Sequence, residues 1–253
     1  MHLAWVIFIG LISFLWVVAA VVTARGMRQA PDLGRVEPLP DRAYPGVSIL
    51  IAARNEAAEL PQALASFLAQ DNPHYEVIAV DDRSTDATGQ ILDDWARRHP
   101  NLTVIHLKEL PPGWLGKPHG LQTAYQRSSG EWLVFTDADV VFAPDLLRRA
   151  LALVQQEGWD HLTCLPRFEM VGFWETTALS LAVLVGEMAV QPWRVHRSSS
   201  RFYAGVGAFQ LLRRTAYESI GGHHRMAMEI VDDIKLAKLV KRSEEHTSEL
   251  QSR

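Results

Sequence analysis

The chain has 253 residues, of which 48% are hydrophobic and 21% charged, so it can bury the core of one large domain or two small ones. Its formal net charge of -4 gives no broad basic surface of the kind that holds nucleic acid, and nucleic acid is therefore excluded as an expected partner. The single cysteine, Cys164, excludes an internal disulfide and any metal site built from several cysteines.

An uncharged apolar segment from Leu3 to Val22 is long enough to cross a bilayer as one helix. A cleaved signal peptide is the alternative, but Met1-His2 supplies no basic leader and the apolar run is longer than such peptides need. We therefore expect a single transmembrane anchor over residues 1–25. Arg25 and Arg28 follow it, and positive charge favours the cytoplasmic side. The sequence thus predicts a globular domain on the cytoplasmic face of the inner membrane.

The stretch 26–46 is expected to be a tether, because its four prolines resist both helices and central strands. Beyond it, strand-like and helix-like runs alternate, which predicts an α/β fold with a doubly wound, mainly parallel sheet. Ligands of such sheets bind past the carboxyl ends of the strands. The predicted strands are Val47–Ala53, Val77–Asp81, Thr103–Leu107 and Trp132–Thr136, and the predicted helices are Glu59–Ala69, Thr88–Arg98 and Leu121–Ser128.

Acidic groups follow three of these strands. Glu56 comes after the first strand, Asp81 and Asp82 end the second, and Asp137 and Asp139 follow the fourth. Solubility explains any one cluster, but solvated charges need not coincide repeatedly with the ends of apolar strands. The pattern therefore predicts that a cation or a polar ligand binds at one edge of the sheet.

Asp137 and Asp139 are one residue apart, so in an extended chain both carboxylates point to the same face. Paired carboxylates suit Mg²⁺ or Mn²⁺, and such a cation can bridge to a diphosphate and neutralise a leaving nucleotide. The alternative is that Asp139 only caps or solvates the turn before Pro144. The position after a predicted strand favours the metal site.

Asp81 and Asp82 precede Ser84-Thr85-Asp86, side chains that commonly cap a helix. Capping does not account for the two acids ahead of them. One of the two can accept hydrogen bonds from a base or a ribose, and the spacing favours neither over the other.

Lys117 lies in a glycine-bounded turn, Gly116–Gly120, that leads into a helix. Helix amino ends and lysines both attract phosphate, although a solvated loop lysine fits the pattern equally well. His119, in the same turn, is interpreted as a structural residue.

Asp232 and Asp233 precede an amphipathic run that ends in Lys241. We expect Asp232 to be the N-cap and Asp233 to lie in the first turn, where the helix dipole favours an ionised carboxylate. Such a carboxylate can take the proton of an acceptor hydroxyl, the general-base step of a single displacement. Capping alone is the alternative.

The second half contains a long apolar stretch, Phe173–Val190, interrupted by Glu175 and Glu187. The two carboxylates argue against a second membrane span, so either a helix on the membrane surface or a buried core helix is expected. A further strand is predicted at Val206–Leu212. Residues 242–253 resemble a translated sequencing adapter and are interpreted as a non-native scar, so the native protein is expected to continue differently.

Taken together, these motifs resemble the family 2 glycosyltransferases of the A-type fold, from Val47 to about Lys241. The segments that carry the resemblance are Val47–Glu56, with its Asn-Glu pair, Val80–Thr88, Asp137-Ala138-Asp139, Gly205–Phe209, Arg213–Tyr217 with Gly221-Gly222, and Val231-Asp232-Asp233. Arg83 stands where glycine is commoner in the family, and Asp232 stands where glutamate is commoner. These motifs in this order are more specific than any one of them.

The resemblance implies an inverting enzyme that moves a sugar from a nucleotide-sugar donor to an acceptor hydroxyl, on a membrane lipid such as a hopanoid or carotenoid derivative. It assigns the general base to Asp233, beside Asp232, and a Mg²⁺ or Mn²⁺ site to Asp137 and Asp139. The residues that it assigns to donor binding are Ala53, Asn55, Glu56, Asp81, Asp82, Lys117 and Asp137. The family's later Gln-x-x-Arg-Trp segment and C-terminal membrane helices do not appear, so weak activity is expected of residues 1–241 alone.

Three other functions fit parts of the sequence. A nucleotidyltransferase shares the sheet and the metal but opens with a glycine-rich loop, where this chain has Ala52–Glu56. A phosphoacceptor signalling module also gathers acids at strand ends but has no place for the Asp232-Asp233 helix. A catalytically dead scaffold that only binds nucleotide is the third alternative.

Overall fold

The computed structural model of the chain describes residues 2–38, 40, 44–195 and 200–251. Its helices are α1 (His2–Met27), α2 (Leu60–Leu68), α3 (Thr88–Ala96), α4 (Gly116–Arg127), α5 (Leu146–Glu157), α6 (Phe173–Val190), α7 (Pro192–Val195), α8 (Arg214–Ser219) and α9 (Asp232–Gln251). Its strands are β1 (Val47–Ala53), β2 (Tyr75–Asp82), β3 (Leu102–Leu107), β4 (Trp132–Thr136), β5 (His161–Thr163) and β6 (Gln210–Arg213). Short 3-10 helices occur at Leu33–Arg35 and Gly222–Met226.

The six strands form one sheet in the order β3-β2-β1-β4-β6-β5. β1 pairs in parallel with β2 and β4, and β2 with β3, whereas β6 runs antiparallel to both β4 and β5. The predicted α/β fold with a mainly parallel sheet is therefore confirmed. The carboxyl ends of β1, β2 and β4 meet at one edge, where the sequence places its acidic residues.

Side chains alternate along the central strands and so build a core on each face of the sheet. Ile49 and Ile51 of β1 pack with α2 and α5, including Phe67 and Leu147. Leu50, between them, joins the opposite core with residues of α4, α8 and α9. The sheet is thus covered on both sides, which leaves its carboxyl edge as the open position for a ligand.

The predicted boundaries hold within two residues for most elements. Two elements differ more. α4 begins at Gly116 rather than Leu121, because Lys117 and Pro118 are its first turn instead of a preceding loop, and proline suits that position. β6 begins at Gln210 rather than Val206, since glycines at 205 and 207 lie in the close-packed segment before it.

The described residues form two compact units, and each is considered by itself. One contains the sheet, from Leu33–Pro166 and Gly205–Arg253. The other contains Met1–Asp32 and Arg167–Ala204, in which Gly26 of α1 lies against the ring of Trp193. Residues 167–204 of the predicted 47–241 domain thus pack with α1.

α1 and the segment Phe173–Val195 are each long and apolar enough to cross a membrane, judged by length and composition alone. None of the residues of α6 is buried, so the buried core helix that we considered for this stretch is wrong. Its large apolar side chains, such as Phe173 and Trp174, are exposed. Of the two arrangements expected for this stretch, the helix on the membrane surface stays a prediction.

The predicted tether and tail lie only partly within the described residues. Within 26–46, the residues outside them are 39 and 41–43, and the described part holds one 3-10 helix, Leu33–Arg35. Arg149 of α5 donates to the carbonyls of Leu33, Gly34 and Val36. α9 continues to Gln251, so the helix does not end at the predicted junction at Arg242, and residues 252–253 of the predicted scar lie outside the described residues.

Candidate active site

The loops after β1 and β2 are tied together by Asn55. Its backbone has a φ of 57°, a left-handed conformation that asparagine tolerates better than most residues. Its Oδ1 accepts the backbone N–H of Thr85 at 2.8 Å, and its own N–H donates to Oγ of Ser84 at 3.1 Å. The neighbouring N–H of Glu56 donates to Oγ1 of Thr88 at 2.8 Å. The two loops therefore form one rigid wall at the edge of the sheet.

Asp81, at the end of β2, is held by its own loop and by β3. Its Oδ1 accepts the N–H of Ser84 at 3.1 Å, and its Oδ2 lies 2.9 Å from Nδ1 of His106. Burial opposes ionisation, but the hydrogen bonds from Ser84 and His106 outweigh it and hold the pKa of Asp81 below its usual value. Asp81 is therefore an ionised acceptor fixed in place.

Asp82 is paired with the next residue. Arg83 donates to it from Nε at 2.7 Å and from Nη2 at 3.0 Å, a bidentate contact around a buried carboxylate. Gly116 of α4 lies so close that an added Cβ would be 2.1 Å from Oδ2 of Asp82. The first turn of α4 thus packs against the end of β2 because residue 116 has no side chain.

Asp137, just past β4, forms an ion pair with Lys117 of α4, with Nζ 2.5 Å from Oδ1. An added Cβ on Gly207 would be 2.6 Å from Oδ2 of Asp137, so this glycine allows the segment before β6 to cover the carboxylate closely. Both charged side chains keep access to solvent, at 40% and 38% exposure. A basic and an acidic group are therefore presented together at the edge of the sheet.

Asp139 and Glu56 extend this group of acids across the sheet edge. The pKa of Glu56 is raised, first by burial and then by the negative charge of Asp139, with a smaller effect of Asp137. The raised pKa of Glu56 reports a local excess of negative charge, which a cation would neutralise. In the described ranges no group of three or more His, Cys, Asp or Glu side chains is arranged to hold a metal. Two carboxylates suffice for Mg²⁺ or Mn²⁺ when substrate phosphates supply further oxygens, and Asp137 and Asp139 are the two that would hold such an ion.

A pocket at the carboxyl end of β4 collects the remaining charged candidates. Lys117, Asp232 and Asp233 line it together with Thr136, Gly207 and His223. Asp232 is buried, 4.0 Å from Nζ of Lys117 and 3.7 Å from Nε2 of His223. Burial opposes its charge, but His223 and Lys117 outweigh it and lower the pKa of Asp232. Asp137, from the end of β4, and Asp232, from the start of α9, therefore meet around one lysine.

Asp233 differs from its neighbour in exposure and in partners. It is partly exposed, and its Oδ1 accepts the N–H of Ile234 at 2.7 Å. An added Cβ on Gly205 would be 2.1 Å from the carbonyl oxygen of Asp233, so the segment before β6 packs on this backbone as well. Asp233 presents an ionisable oxygen in the first turn of α9, where the helix dipole favours negative charge.

Comparison with known proteins identifies the family. Residues 48–221 match the family described as Glycosyl transferase family 2. The chain belongs to glycosyltransferase family 2. The resemblance inferred from the motifs is therefore confirmed.

Relatives of this family 2 chain include enzymes named for glycolipids. It is 30% identical over 202 residues to a beta-monoglucosyldiacylglycerol synthase of Nostoc sp. (strain PCC 7120), covering 77% of this chain and 41% of that protein. It is 24% identical over 200 residues to a 4,4'-diaponeurosporenoate glycosyltransferase of Staphylococcus haemolyticus, covering 78% of this chain and 52% of that protein. The chain thus spans about half the length of these relatives or less.

Among solved structures, the glycosyltransferase domain resembles a mannosyltransferase of Pyrobaculum calidifontis in complex with GDP-Man and Mn²⁺. The TM-score is 0.59 with 26% sequence identity, and the match covers 85% of this chain and 57% of the other. The similarity extends the family assignment to the three-dimensional arrangement of the sheet.

Several residues of this family 2 site have neighbours other than those expected. Ser84 and Thr85 do not cap α3, because they bond to Asn55 instead, and the side chain that accepts the Thr88 N–H belongs to Asp86. Asp232 is the first residue of α9 rather than its N-cap. The side chain of Ala53 is buried in the core, so only its backbone is available to a donor.

Two histidines of the site were missed by the sequence reasoning. His106 is the parallel-register partner of Asp81, so their adjacency follows from aligning the ends of β2 and β3. His223 comes directly after Gly221-Gly222, a pair that the family pattern contains, but nothing in the spacing relates it to Asp232. The second contact depends on how the chain folds back over α4.

Proposed function

We propose that this chain carries the donor-binding and catalytic part of an inverting glycosyltransferase that moves a sugar from a nucleotide-sugar donor to the hydroxyl of a membrane lipid. One observation supports this above all others. Lys117 lies between Asp137, at the end of β4, and Asp232, at the start of α9, in a pocket that Asp233 also lines. The ammonium group of Lys117, which can bind a diphosphate, is thus close to acids that can accept the proton of a hydroxyl.

Asp233 acts as the general base in this proposal. Its carboxylate takes the proton of the acceptor hydroxyl while that oxygen attacks the anomeric carbon of the donor. The bond from the anomeric carbon to the diphosphate oxygen breaks, and its electron pair leaves with the nucleoside diphosphate. One displacement of this kind inverts the anomeric centre. The partial exposure of Asp233, beside the buried Asp232, supports this division of roles.

The leaving group is stabilised, in this proposal, by groups at the end of β4 and the start of α4. Asp137 and Asp139 would hold Mg²⁺ or Mn²⁺, which supplies positive charge to the diphosphate when it is bound. Lys117 supplies a second positive charge from the first turn of α4, where backbone N–H groups also favour phosphate. The mannosyltransferase with GDP-Man and Mn²⁺ supports the use of a divalent cation.

The nucleoside lies, in this proposal, over the wall made by the loops after β1 and β2. Asp81 or Asp82 accepts its hydrogen bonds, and the backbone of Ala53 with Asn55 and Glu56 lines the entry. The fixed, ionised state of Asp81 supports a recognition role for it. Asp82 has both oxygens on Arg83, and Asp81 has its oxygens on Ser84 and His106, so either carboxylate is a candidate for the nucleoside contact.

The acceptor is a lipid presented by the membrane that α1 would anchor, with the sheet on the cytoplasmic side. The apolar character of α1 and of Phe173–Val195 supports membrane association, and a relative named for monoglucosyldiacylglycerol supports a lipid acceptor. The basic residues Arg25 and Arg28 at the end of α1 support the cytoplasmic orientation.

The test is sugar transfer by the full-length protein in lipid vesicles. A panel of UDP- and GDP-sugars is offered with Mn²⁺ or Mg²⁺, with vesicles containing diacylglycerol, and the product is identified together with its anomeric configuration. We expect a glycolipid of inverted configuration from one donor, and its loss in Asp233→Asn. A retained configuration, or transfer at the wild-type rate by Asp233→Asn, would refute the mechanism. A product that is a nucleotidyl ester would refute the reaction class.

A further inference from the structure

A row of four buried polar side chains lies behind the pocket, on the face of the sheet covered by α4, α8 and α9. Its members are Gln122, Tyr217, His223 and Asp232, each at most 6% exposed. Their neighbours Phe135, Met226 and Leu236 belong to the apolar core. Burying polar groups among apolar ones is costly unless they are paired, so the retention of four such side chains in this core needs an explanation.

The contacts run in one line from the core to the pocket. The hydroxyl of Tyr217 lies 3.2 Å from Oε1 of Gln122 and 2.7 Å from Nδ1 of His223. On the far side of the imidazole, Nε2 lies 3.7 Å from Oδ2 of Asp232. Asp232 in turn is 4.0 Å from Nζ of Lys117. The ring of His223 therefore joins a fixed phenol to an acid of the site.

The backbone holds His223 in this place by means of two glycines. Gly221 and Gly222 have φ values of 83° and 57°, which residues with a side chain rarely adopt. An added Cβ on Gly222 would lie 2.9 Å from the Tyr217 ring. The backbone N–H of His223 also donates to the Tyr217 hydroxyl at 3.0 Å, so the loop closes tightly on this ring.

The environment selects one tautomer of the imidazole. A lone pair on Nε2 would face the carboxylate of Asp232, which is repulsive, whereas an N–H there stabilises it. The proton on Nε2 leaves Nδ1 as an acceptor, which the hydroxyl of Tyr217 satisfies by donating to it. Because the phenol has one proton, this tautomer requires the amide of Gln122 to turn from the orientation in which Oε1 accepts from Tyr217, so that its N–H₂ faces the phenol oxygen. This arrangement pairs Gln122, Tyr217 and Nδ1 of His223, and it turns the Nε2–H toward the carboxylate of Asp232 at 3.7 Å.

We infer that His223, as its neutral Nε2–H tautomer, is a positioning residue that holds Asp232 toward Lys117 and thereby orders the pocket for the reaction. The inference rests on the proposed function. Burial lowers the pKa of His223 despite the nearby Asp232, consistent with a neutral ring. No proton transfer is assigned to it, because both of its ring nitrogens face side chains of the protein, the Tyr217 hydroxyl and the Asp232 carboxylate. Its effect is to keep Asp232, and through it Lys117, in one orientation.

The kinetic test uses two amides that reproduce different nitrogens of the ring. In His223→Gln the amide nitrogen reaches the position of Nε2 and can donate to Asp232, whereas in His223→Asn it reaches only that of Nδ1. In the full-length protein we expect His223→Asn to lower kcat about tenfold or more with a donor KM within about threefold, and His223→Gln to recover most of it. His99→Gln, on a histidine that stacks on Trp95, is the control and keeps the wild-type kcat. Equal losses in Gln and Asn variants of equal thermal stability would overturn the inference.

A second readout does not depend on activity. The nitrogen-15 chemical shifts of protein labelled at its histidines report the tautomer of each ring. The signal that is missing from the His223→Gln spectrum is that of His223. We expect a neutral ring protonated on Nε2, with the preference weakened in Tyr217→Phe, which lacks the hydroxyl that donates to Nδ1. A ring protonated on Nδ1 alone, or an imidazolium at neutral pH, would overturn the inference. If no sugar were transferred by any form while this tautomer was observed, the proposed function would fail and the arrangement around His223 would stand.

Discussion

Lys117 of α4 and Asp137 after β4 form an ion pair, with Nζ 2.5 Å from Oδ1, that connects two elements lying on different sides of the site. Burial opposes the charge on the lysine, but the carboxylates of Asp137, Asp232 and Asp233 outweigh it and raise the pKa of Lys117. The lysine therefore stays cationic across the physiological range. A diphosphate that enters the pocket meets a positive charge already held in position.

Replacement of this lysine should weaken diphosphate binding. In Lys117→Met the chain length is kept and the charge is lost, so the affinity for a nucleoside diphosphate should fall about 10- to 100-fold, the usual value of a charge-assisted contact. Calorimetry with UDP and GDP in the presence of Mg²⁺ measures it. Lys108→Met removes an exposed lysine outside the pocket and serves as the control. Equal affinities for the two variants would contradict the phosphate role.

Changing each of the two adjacent acids of α9 to an amide should have different effects on transfer rate and on stability. Asp233→Asn should lower transfer by about 100-fold or more while nucleoside diphosphate affinity stays within threefold, because a general base acts only on the reacting hydroxyl. Asp232→Asn should lower the melting temperature as well as transfer, because the carboxylate of Asp232 is buried beside His223 and Lys117. Transfer rates and thermal unfolding of both variants provide the comparison, and the opposite pattern would assign the base to Asp232.

The proposed cation site can be tested on the protein alone. Asp137→Asn and Asp139→Asn should each weaken Mn²⁺ binding about tenfold or more, since each removes one of two anionic ligands. Electron paramagnetic resonance measures the concentration of free Mn²⁺ during a titration and so gives the affinity. Asp139→Asn should in addition lower the pKa of Glu56, because the charge of Asp139 helps to raise it. Unchanged Mn²⁺ affinity in both variants would show that Asp137 and Asp139 do not bind the ion, whatever the activity of the variants.

Asn55 offers a test of backbone strain beside the donor site. Alanine in its place loses the acceptor for the Thr85 N–H and must still adopt a φ of 57°, so we expect a loss of about 2 kcal/mol from the two effects together. Glycine loses the same hydrogen bond but adopts this φ without strain, so Asn55→Gly should lose about half as much. Thermal unfolding ranks the three proteins. Equal losses would show that the conformation contributes nothing.

Arg83 shows how far the sequence could predict this site. The family pattern has glycine there more often, and the structure gives the reason, because the residue has a φ of 58°. In this chain the arginine accepts that conformation and pairs with the buried carboxylate of Asp82. The turn was predictable from the order of strand, acids and hydroxyls. The pairing was not, because it depends on which way a long side chain lies.

The same distinction applies to the larger architecture. The strand endings that carry Asp81 and Asp137 followed from hydrophobic runs and acids, since the carboxyl ends of parallel strands meet at one edge. The contact of Lys117 with Asp232 joins residues more than a hundred positions apart and depends on the return of the chain over α4. Periodicity reports which face of an element is buried, but it does not report which distant element covers that face.

The contact between Asp81 and His106 should give stability a specific pH dependence. The hydrogen bonds that His106 donates to Asp81 and Asp93 raise its pKa above the ordinary 6.5, so its contribution is full below that value and is lost as the pH rises through the raised pKa. The pKa of Asp81 is lowered from 3.8, so its share is present above that value and is lost as the pH falls through the lowered pKa. The contact should therefore contribute most between pH 3.8 and 6.5.

The comparison of wild type with His106→Gln measures this contribution. Since the His106 side chain is 41% exposed, water screens the pair, and the difference in unfolding free energy should stay near or below about 1 kcal/mol. It should be larger at about pH 5.5 than at about pH 9, where the wild-type imidazole is neutral. Proton magnetic resonance should give His106 a pKa above 6.5 that falls in Asp93→Asn, because that variant removes one of the two carboxylates that raise it. A pKa at or below 6.5 in the wild type would mean that the ring is not held between the two acids in solution, and the fixed position of Asp81 would lose its support.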